Sequence, residues 1–414
     1  MIGEVLKNTL TLSDACRITQ TLRFNLMFKP IGSACNLKCS YCYYLDKAKM
    51  YGKESVMPYE ILEKTIKEYL ETNDSEEITF DWHGGEPLLL GLDYLKRIVE
   101  LQNKYKGKKN VFNTIQTNAT LMTPDFANFF HDNNFLVGVS IDGPQHIHDG
   151  YRKDKGGYPT FNKVMRGVEL LHRYGVDFNT MTTINKAGEG RGLEVYDFLK
   201  RIGSHYMQFM PVLEYVDMSN GSICSPSSKR SVVAPWSVDA MEYGKFMCDI
   251  FDAWVKNDVG NYFVNLFDST LANYCGHNPG TCVYSETCGA NAVVEHNGDV
   301  YPCDHFVYPQ YKLGNINESS LGEIVASNKM IEFGINKRNM LPDECLRCRF
   351  FSVCHGECPK HRFDSTSSNE KRLNSLCKGL KYFFSYVEPY MVEMRKLYFS
   401  GKSPSEIMSY DSIC

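Results

Sequence analysis

The sequence predicts an α/β chain: an open or partial β/α barrel of about six strand–helix units, then a cysteine-rich segment with a β-hairpin and short helices. Two observations predict it. Between Phe24 and Met210 short apolar runs alternate with amphipathic ones, and between Cys282 and Cys377 eight cysteines replace that rhythm.

The elements follow in order. Phe24–Pro30 has the length of a buried strand. Pro58–Leu70 sets Ile61, Leu62, Thr65, Ile66, Tyr69 and Leu70 on one helical face, with Pro58 suited to a first turn. Ile78–Trp82 reads as a strand, and Tyr94, Leu95, Ile98 and Val99 as a helix face. Val111–Thr117 and Phe135–Ile141 read as strands around a helix at Pro124–His131. Phe161, Val164, Met165, Val168 and Leu171 mark another helix. Val176–Ile184 and His205–Met210 flank a helix at Leu193–Ile202. Parallel strands with helical crossovers place chemistry on loops at the strands' C-terminal ends. Ser219–Ser231 predicts a loop, Val238–Val255 a long helix, and Val293–Tyr301 a hairpin turning at Asn297-Gly298. The expected divisions are an extension at 1–23, a barrel at 24–235, a helical link at 236–280, a cysteine-rich domain at 281–390 and a tail at 391–414.

Composition narrows the function. The 414 residues hold 45 Lys+Arg against 49 Asp+Glu, which excludes a bulk electrostatic nucleic-acid binder. No apolar run approaches the roughly 18 residues of a membrane span. Met1–Leu12 has one Lys, one Glu and no apolar core, so no secretory leader and a cytoplasmic location are expected. In a reducing compartment sixteen cysteines point to metal rather than to disulfides.

Three of them, Cys35, Cys39 and Cys42, fall on the loop after the first strand, and the next is Cys224. A four-iron cluster ordinarily takes four thiolates. Three leave one iron open to chelate a substrate or cofactor. The alternative is a three-cysteine zinc site completed by a distant histidine.

Cys35-x3-Cys39-x2-Cys42, with Tyr41 inside it, resembles the signature of radical S-adenosylmethionine (SAM) enzymes. In that family the open iron binds SAM, and reductive cleavage yields a 5′-deoxyadenosyl radical. His83-Gly84-Gly85-Glu86-Pro87 after the second strand resembles the family's SAM-binding glycine loop, although a Gly-Gly after a strand can be only a tight turn. The resemblance implies SAM contacts at Tyr41, Gly85, Ser140, Arg152 and Leu213: ribose and carboxylate contacts around Gln116–Asn118 and Ser140, a carboxylate pair with Arg152 and adenine packing on Leu213.

By spacing alone the C-terminal cysteines could form a zinc ribbon. Their order resembles the SPASM extension of radical SAM peptide-modifying enzymes, which holds two auxiliary four-iron clusters. The resemblance implies Cys282, Cys288, Cys303 and Cys358 for one, and Cys345, Cys348, Cys354 and Cys377 for the other. Cys275 is a rival for Cys282. Cys16, Cys224, Cys248, Cys275 and Cys414 are expected as plain thiols. The expected cofactors are SAM and three [4Fe–4S] clusters.

Within this superfamily Cys35–Tyr44, His83–Pro87, Phe135–Pro144, Tyr151–Asp154, Asn297–Phe306 and Lys312–Ile316 resemble anaerobic sulfatase-maturating enzymes. The implied activity is oxidation of a sulfatase active-site Cys or Ser to formylglycine. The implied partners are an unfolded or nascent sulfatase segment with a Cys/Ser-x-Pro-x-Arg-like motif and a reductant such as flavodoxin or ferredoxin. The family's base matches Asp304, which burial would raise in pKa; a purely structural Asp304 would cap backbone amides. Competing readings are a SPASM maturase forming thioether crosslinks and a non-catalytic iron–sulfur carrier.

Overall fold

The computed structural model describes residues 22–44, 47, 56–219, 221, 223 and 230–410. Cys16, Cys224, Cys414 and most of the N-terminal extension lie outside them.

Strand β1 (Asn25–Lys29) pairs in parallel with β2 (Glu77–Trp82). The parallel order continues through β3 (Asn110–Thr117), β4 (Phe135–Ser140), β5 (Phe178–Ile184) and β6 (Tyr206–Pro211). Between them run helices α1 (Tyr59–Thr72), α2 (Leu92–Tyr105), α3 (Pro124–Asp132), α4 (Gln145–Tyr151), α5 (Phe161–Tyr174) and α6 (Gly192–Arg201). Each longer helix buries one stripe; α1 turns Leu62, Thr65, Ile66, Tyr69 and Leu70 inward. Phe28, Phe80 and Trp82 stack between sheet and helices, with the Phe28 and Trp82 ring centroids 4.6 Å apart.

Two differences from the sequence reading stand out. The expected loop is flanked by a small antiparallel pair, β7 (Tyr215–Asp217) with β8 (Ser231–Val233). Second, the C-terminal hairpin joins the barrel's own sheet. After helix α7 (Ala240–Asn257), strand β9 (Phe263–Val264) and helix α8 (Asn265–Tyr274), β10 (Asn291–Glu295) lies parallel to β1. β11 (Asp299–Tyr301) and β12 (Gly314–Asn315) extend from it, so the order is β12-β11-β10-β1-β2-β3-β4-β5-β6-β9. β10 is buried along Ala292–Glu295, as a strand covered on both faces must be.

Helix α9 (Leu321–Val325) opens with a capping box, and α10 (Asn328–Asn339), α11 (Asp343–Leu346) and α12 (Phe351–Cys354) follow. The long α13 (Cys377–Phe399) crosses α7 at Gly244 and Gly379, where a Cβ on Gly379 would sit 1.7 Å from the Ala240 carbonyl oxygen. That crossing clamps the cysteine-rich segment, including Cys377, onto the barrel.

Candidate functional site

The loop after β1 and the glycine loop after β2 are laced by backbone hydrogen bonds. Gly85 N–H donates to Gly32 O and Glu86 N–H to Ala34 O, both at 2.8 Å. A Cβ on Gly85 would sit 1.9 Å from the Ala34 carbonyl oxygen, so this contact requires glycine. Buried Glu86 accepts from Leu88 N–H (3.0 Å), the Thr117 hydroxyl (2.7 Å) and Asn118 N–H (2.8 Å), joining the loops after β2 and β3.

Cys35, Cys39, Cys42, Gly85, Ser140 and Arg152 all line one cavity of about 230 Å³ at the C-terminal ends of the strands. Tyr41 also lines it and donates to Asp142 at 2.5 Å. Arg152 Nε donates to the same carboxylate at 2.9 Å. Burial opposes ionisation of Asp142, but Arg152 and then His148 hold its carboxyl below the usual range. Leu213 is buried in the main core, while its neighbours Val212 and Glu214 line the cavity.

The trio thiols suit a metal cluster. Burial raises Cys35 to about 11 and Cys39 to about 12, so these thiols become ligands only where a cation displaces the proton. Leu37 N–H donates to Cys35 Sγ at 3.3 Å, a bond that favours the thiolate. Among the described residues no three His, Cys, Asp or Glu side chains group to hold a single metal ion.

The C-terminal thiols separate into two sets by the fields they exert. Half-buried Cys303 is influenced by Cys358 and Cys282, Cys358 by Cys288 and Cys282, and Cys288 by Cys282. Cys345, Cys348, Cys354 and Cys377 influence one another in the same way and enclose a small cavity. Cys275 belongs to neither set; at the end of α8 its charged neighbour is Arg395. Cys248 is buried on α7.

Asp304 follows Cys303 in a short 3₁₀ turn. Lys29, fully buried at the end of β1, forms an ion pair with it, and the Tyr43 hydroxyl donates to its other oxygen. The expected rise in the Asp304 pKa is overturned. Burial does push it up, but the fields of Lys29, His83 and His305 win and hold the carboxyl well below its ordinary value. His83 is itself lowered to about 4, by burial and then by Lys29. Lys29 and Tyr43 also line the first cavity. A second, larger cavity of about 710 Å³ shares Tyr43, Glu214, His305 and Lys360 with it and adds the aromatic walls Tyr215, Phe306, Tyr308 and Phe333.

Residues 30–199 match the Radical SAM superfamily, and residues 282–349 match an iron-sulfur cluster-binding domain, SPASM. A serine-type anaerobic sulfatase-maturating enzyme of Bacteroides thetaiotaomicron is 46% identical over 388 residues, covering 92% of this chain and 94% of that protein. The chain belongs to the anaerobic sulfatase-maturating enzymes. A cysteine-type member from Clostridium perfringens is 34% identical over 378 residues, covering 89% and 98%. The solved structure of native anSMEcpe with bound AdoMet superposes with a TM-score of 0.79 at 33% identity, covering 90% of this chain and 99% of that one. A second solved structure holds AdoMet and the Cp18Cys peptide. Streptococcus suis SuiB, at 14% identity and a TM-score of 0.59, shares the fold alone.

This sulfatase-maturating enzyme is thus a radical SAM oxidoreductase whose cofactors are SAM and three [4Fe–4S] clusters. Among its described residues no helix is long and apolar enough to cross a membrane. The sequence reading missed Lys29, Tyr43, Asp142 and Lys360 as parts of the site. The signal for Lys29 was present: a lysine closing an otherwise buried strand must have an anionic partner.

Proposed function

We propose that this protein oxidises the active-site serine or cysteine of a sulfatase segment to formylglycine, with Asp304 as the base. The observation that carries the reading is the place of Asp304: bonded to Cys303, paired with Lys29, which lines the first cavity, and accepting from Tyr43, which lines both. Cys35, Cys39 and Cys42 would hold the SAM cluster, and the two C-terminal sets of four the auxiliary clusters. When bound, SAM and the reduced first cluster supply a 5′-deoxyadenosyl radical, and the auxiliary clusters supply an electron sink.

The chain's own residues do the rest. Arg152, whose Nε is engaged by Asp142, keeps its two terminal nitrogens for the SAM carboxylate. Gly85 admits the methionyl group, Ser140 and Gln116 (hydrogen-bonded at 2.9 Å) face the ribose, and Leu213, beside cavity-lining Val212, packs on the adenine. The aromatic cavity takes the extended peptide around a Cys/Ser-x-Pro-x-Arg-like motif. Asp304 stays ionised beside Lys29, so it is a weak base, unable to deprotonate a resting alcohol or thiol. It acts after hydrogen abstraction, when the adjacent radical centre has acidified the O–H or S–H. Serine is favoured by the greater identity to the serine-type relative. A flavodoxin- or ferredoxin-like reductant and a cytoplasmic setting fit ligand thiols that must stay reduced.

Anaerobic incubation with SAM, dithionite and synthetic peptides carrying Ser-x-Pro-x-Arg or Cys-x-Pro-x-Arg tests the reading. Mass spectrometry should find the aldehyde in at least one peptide, with the serine form converted faster. Release of 5′-deoxyadenosine without aldehyde in either peptide would overturn it.

A further inference from the structure

Placing Cys282, Cys288, Cys303 and Cys358 on one cluster raises a question of charge. Four thiolates on a doubly positive four-iron core leave two negative charges, and one added electron leaves three. Cys288, Cys303 and Cys358 are half-buried and Cys282 is exposed, and burial raises all four thiols, so an anion of that size among them needs compensation.

Two buried cations lie beside this set. Lys337, on α10, is 1% exposed, and its Nζ donates to the carbonyls of Cys282 (2.5 Å), Val283 (2.7 Å) and Ser285 (2.5 Å). Its three N–H groups are thus spent on the turn that carries the first ligand. Arg362, also buried, donates from Nε to Gly356 O (3.0 Å) and from its terminal nitrogens to Glu357 O (3.0 Å), His355 O (3.2 Å) and Lys337 O. Those carbonyls lead into and face the Cys358 ligand.

Among the described residues neither cation has a carboxylate within 4.0 Å. The acid that acts most strongly on Arg362, Glu357, points its carboxylate at His361 (2.9 Å) and Asn374 (2.6 Å). Buried Lys29 is paired with Asp304 and half-buried Lys360 with Glu214, while buried Lys47 donates to Val307 O at 2.7 Å. Anions acting on Lys337 are the thiols of Cys288, Cys358 and Cys282, and Arg362 feels Glu357 first, then Cys358, Cys288 and Cys345. A buried cation without a carboxylate is costly in a protein interior. Here the missing anion is the cluster.

We propose that Lys337 and Arg362 are the fixed counter-charges of the cluster held by Cys282, Cys288, Cys303 and Cys358, and that they raise its reduction potential so that it accepts the substrate's electron. The step balances. The substrate radical, after giving its proton to the base, loses one electron and becomes the carbonyl or thiocarbonyl; the cluster gains that electron, and its added negative charge is met by cations already in place. They are positioning residues, acting through the cluster rather than on the reacting atoms, although both also line the larger cavity. The inference rests on the ligand assignment proposed above.

The test is a potentiometric titration of the full-length, anaerobically reconstituted enzyme, followed by electron paramagnetic resonance, on wild type, Lys337→Gln and Lys337→Arg. Iron and sulfide are counted on each sample. The expected result is that Lys337→Gln makes one of the three reduction steps at least tenfold less favourable, 59 mV for one electron, and leaves the other two in place. Lys337→Arg, which keeps the charge, should leave all three where wild type has them. Should the Gln variant bind less iron, recovery of the full count in the Arg variant supports the counter-charge, and loss in both overturns it. A full count with no step moved overturns the counter-charge and spares the ligand assignment. A wild-type count well short of about twelve iron and twelve sulfide overturns both.

Discussion

Lys29 and Asp304 stand 275 residues apart in the chain and form a buried ion pair where β1 meets the turn after Cys303. The parallel pairing of β1 with β10 makes it possible, because it brings the end of the first barrel strand beside the cysteine-rich hairpin. One partner belongs to the SAM-binding half and the other to the auxiliary-cluster half. The site is therefore complete only when both halves share the sheet.

Removing either partner separates chemistry from folding. Asp304→Asn should lower formylglycine formation by at least a hundredfold while 5′-deoxyadenosine is still released. Lys29→Met strands a buried carboxylate and should cost on the order of 3–5 kcal/mol of stability. The double variant Lys29→Met/Asp304→Asn should regain most of that stability and none of the activity. Thermal unfolding and mass spectrometry under argon read both; a double variant as unstable as Lys29→Met alone would show that the pair is not the cause.

Gly85 and Gly138 look alike in sequence and differ in what surrounds them. A Cβ at Gly85 meets backbone, the Ala34 carbonyl oxygen at 1.9 Å, whereas one at Gly138 meets the flexible end of Gln116 at 2.0 Å. Gly85→Ala should abolish SAM binding and reduce the iron of the first cluster. Gly138→Ala should keep all three clusters and lose on the order of 1–3 kcal/mol as Gln116 shifts away from Ser140. Iron bound at the first cluster, reduced only in Gly85→Ala, distinguishes them.

The barrel was legible because its periodicities are long and unbroken: α1 shows its buried stripe in the sequence, and β2 its alternation of polar and apolar residues. The cysteine spacings were legible because cluster ligands leave few other uses for so many thiols in one segment. Contacts set by tertiary pairing were not. Nothing local to Val293–Tyr301 says that this hairpin adds to β1 rather than forming its own sheet. The Asp304 pKa was misjudged for the same reason, since burial could be inferred but the arrival of Lys29 could not.

The choice between Cys275 and Cys282 can be read from iron. Cys282 shares its field with Cys303 and Cys358, and Cys275 does not. Cys282→Ala should lose about four iron and four sulfide per chain, and Cys275→Ala should lose none. Equal losses from both would show that the first ligand is wrongly placed.

Asp268 offers a test of pH dependence away from every cluster ligand. It lies on α8 beside a shallow cavity bordered by Asn179, Gln208 and Asn265, and burial alone raises its carboxyl to about 7. In the unfolded chain the same group titrates near its ordinary 3.8. Between those values the folded protein binds the proton and the unfolded chain does not, so stability falls as pH rises through this window and is lowest above about 7. Asp268→Asn removes the ionisation. The variant should exceed wild type by on the order of 1–3 kcal/mol at pH 8.5, and the advantage should shrink steadily toward pH 5. Thermal unfolding of the anaerobic holoenzyme at both pH values measures the difference. An advantage that is the same at both would mean that Asp268 ionises in the folded protein as it does in water.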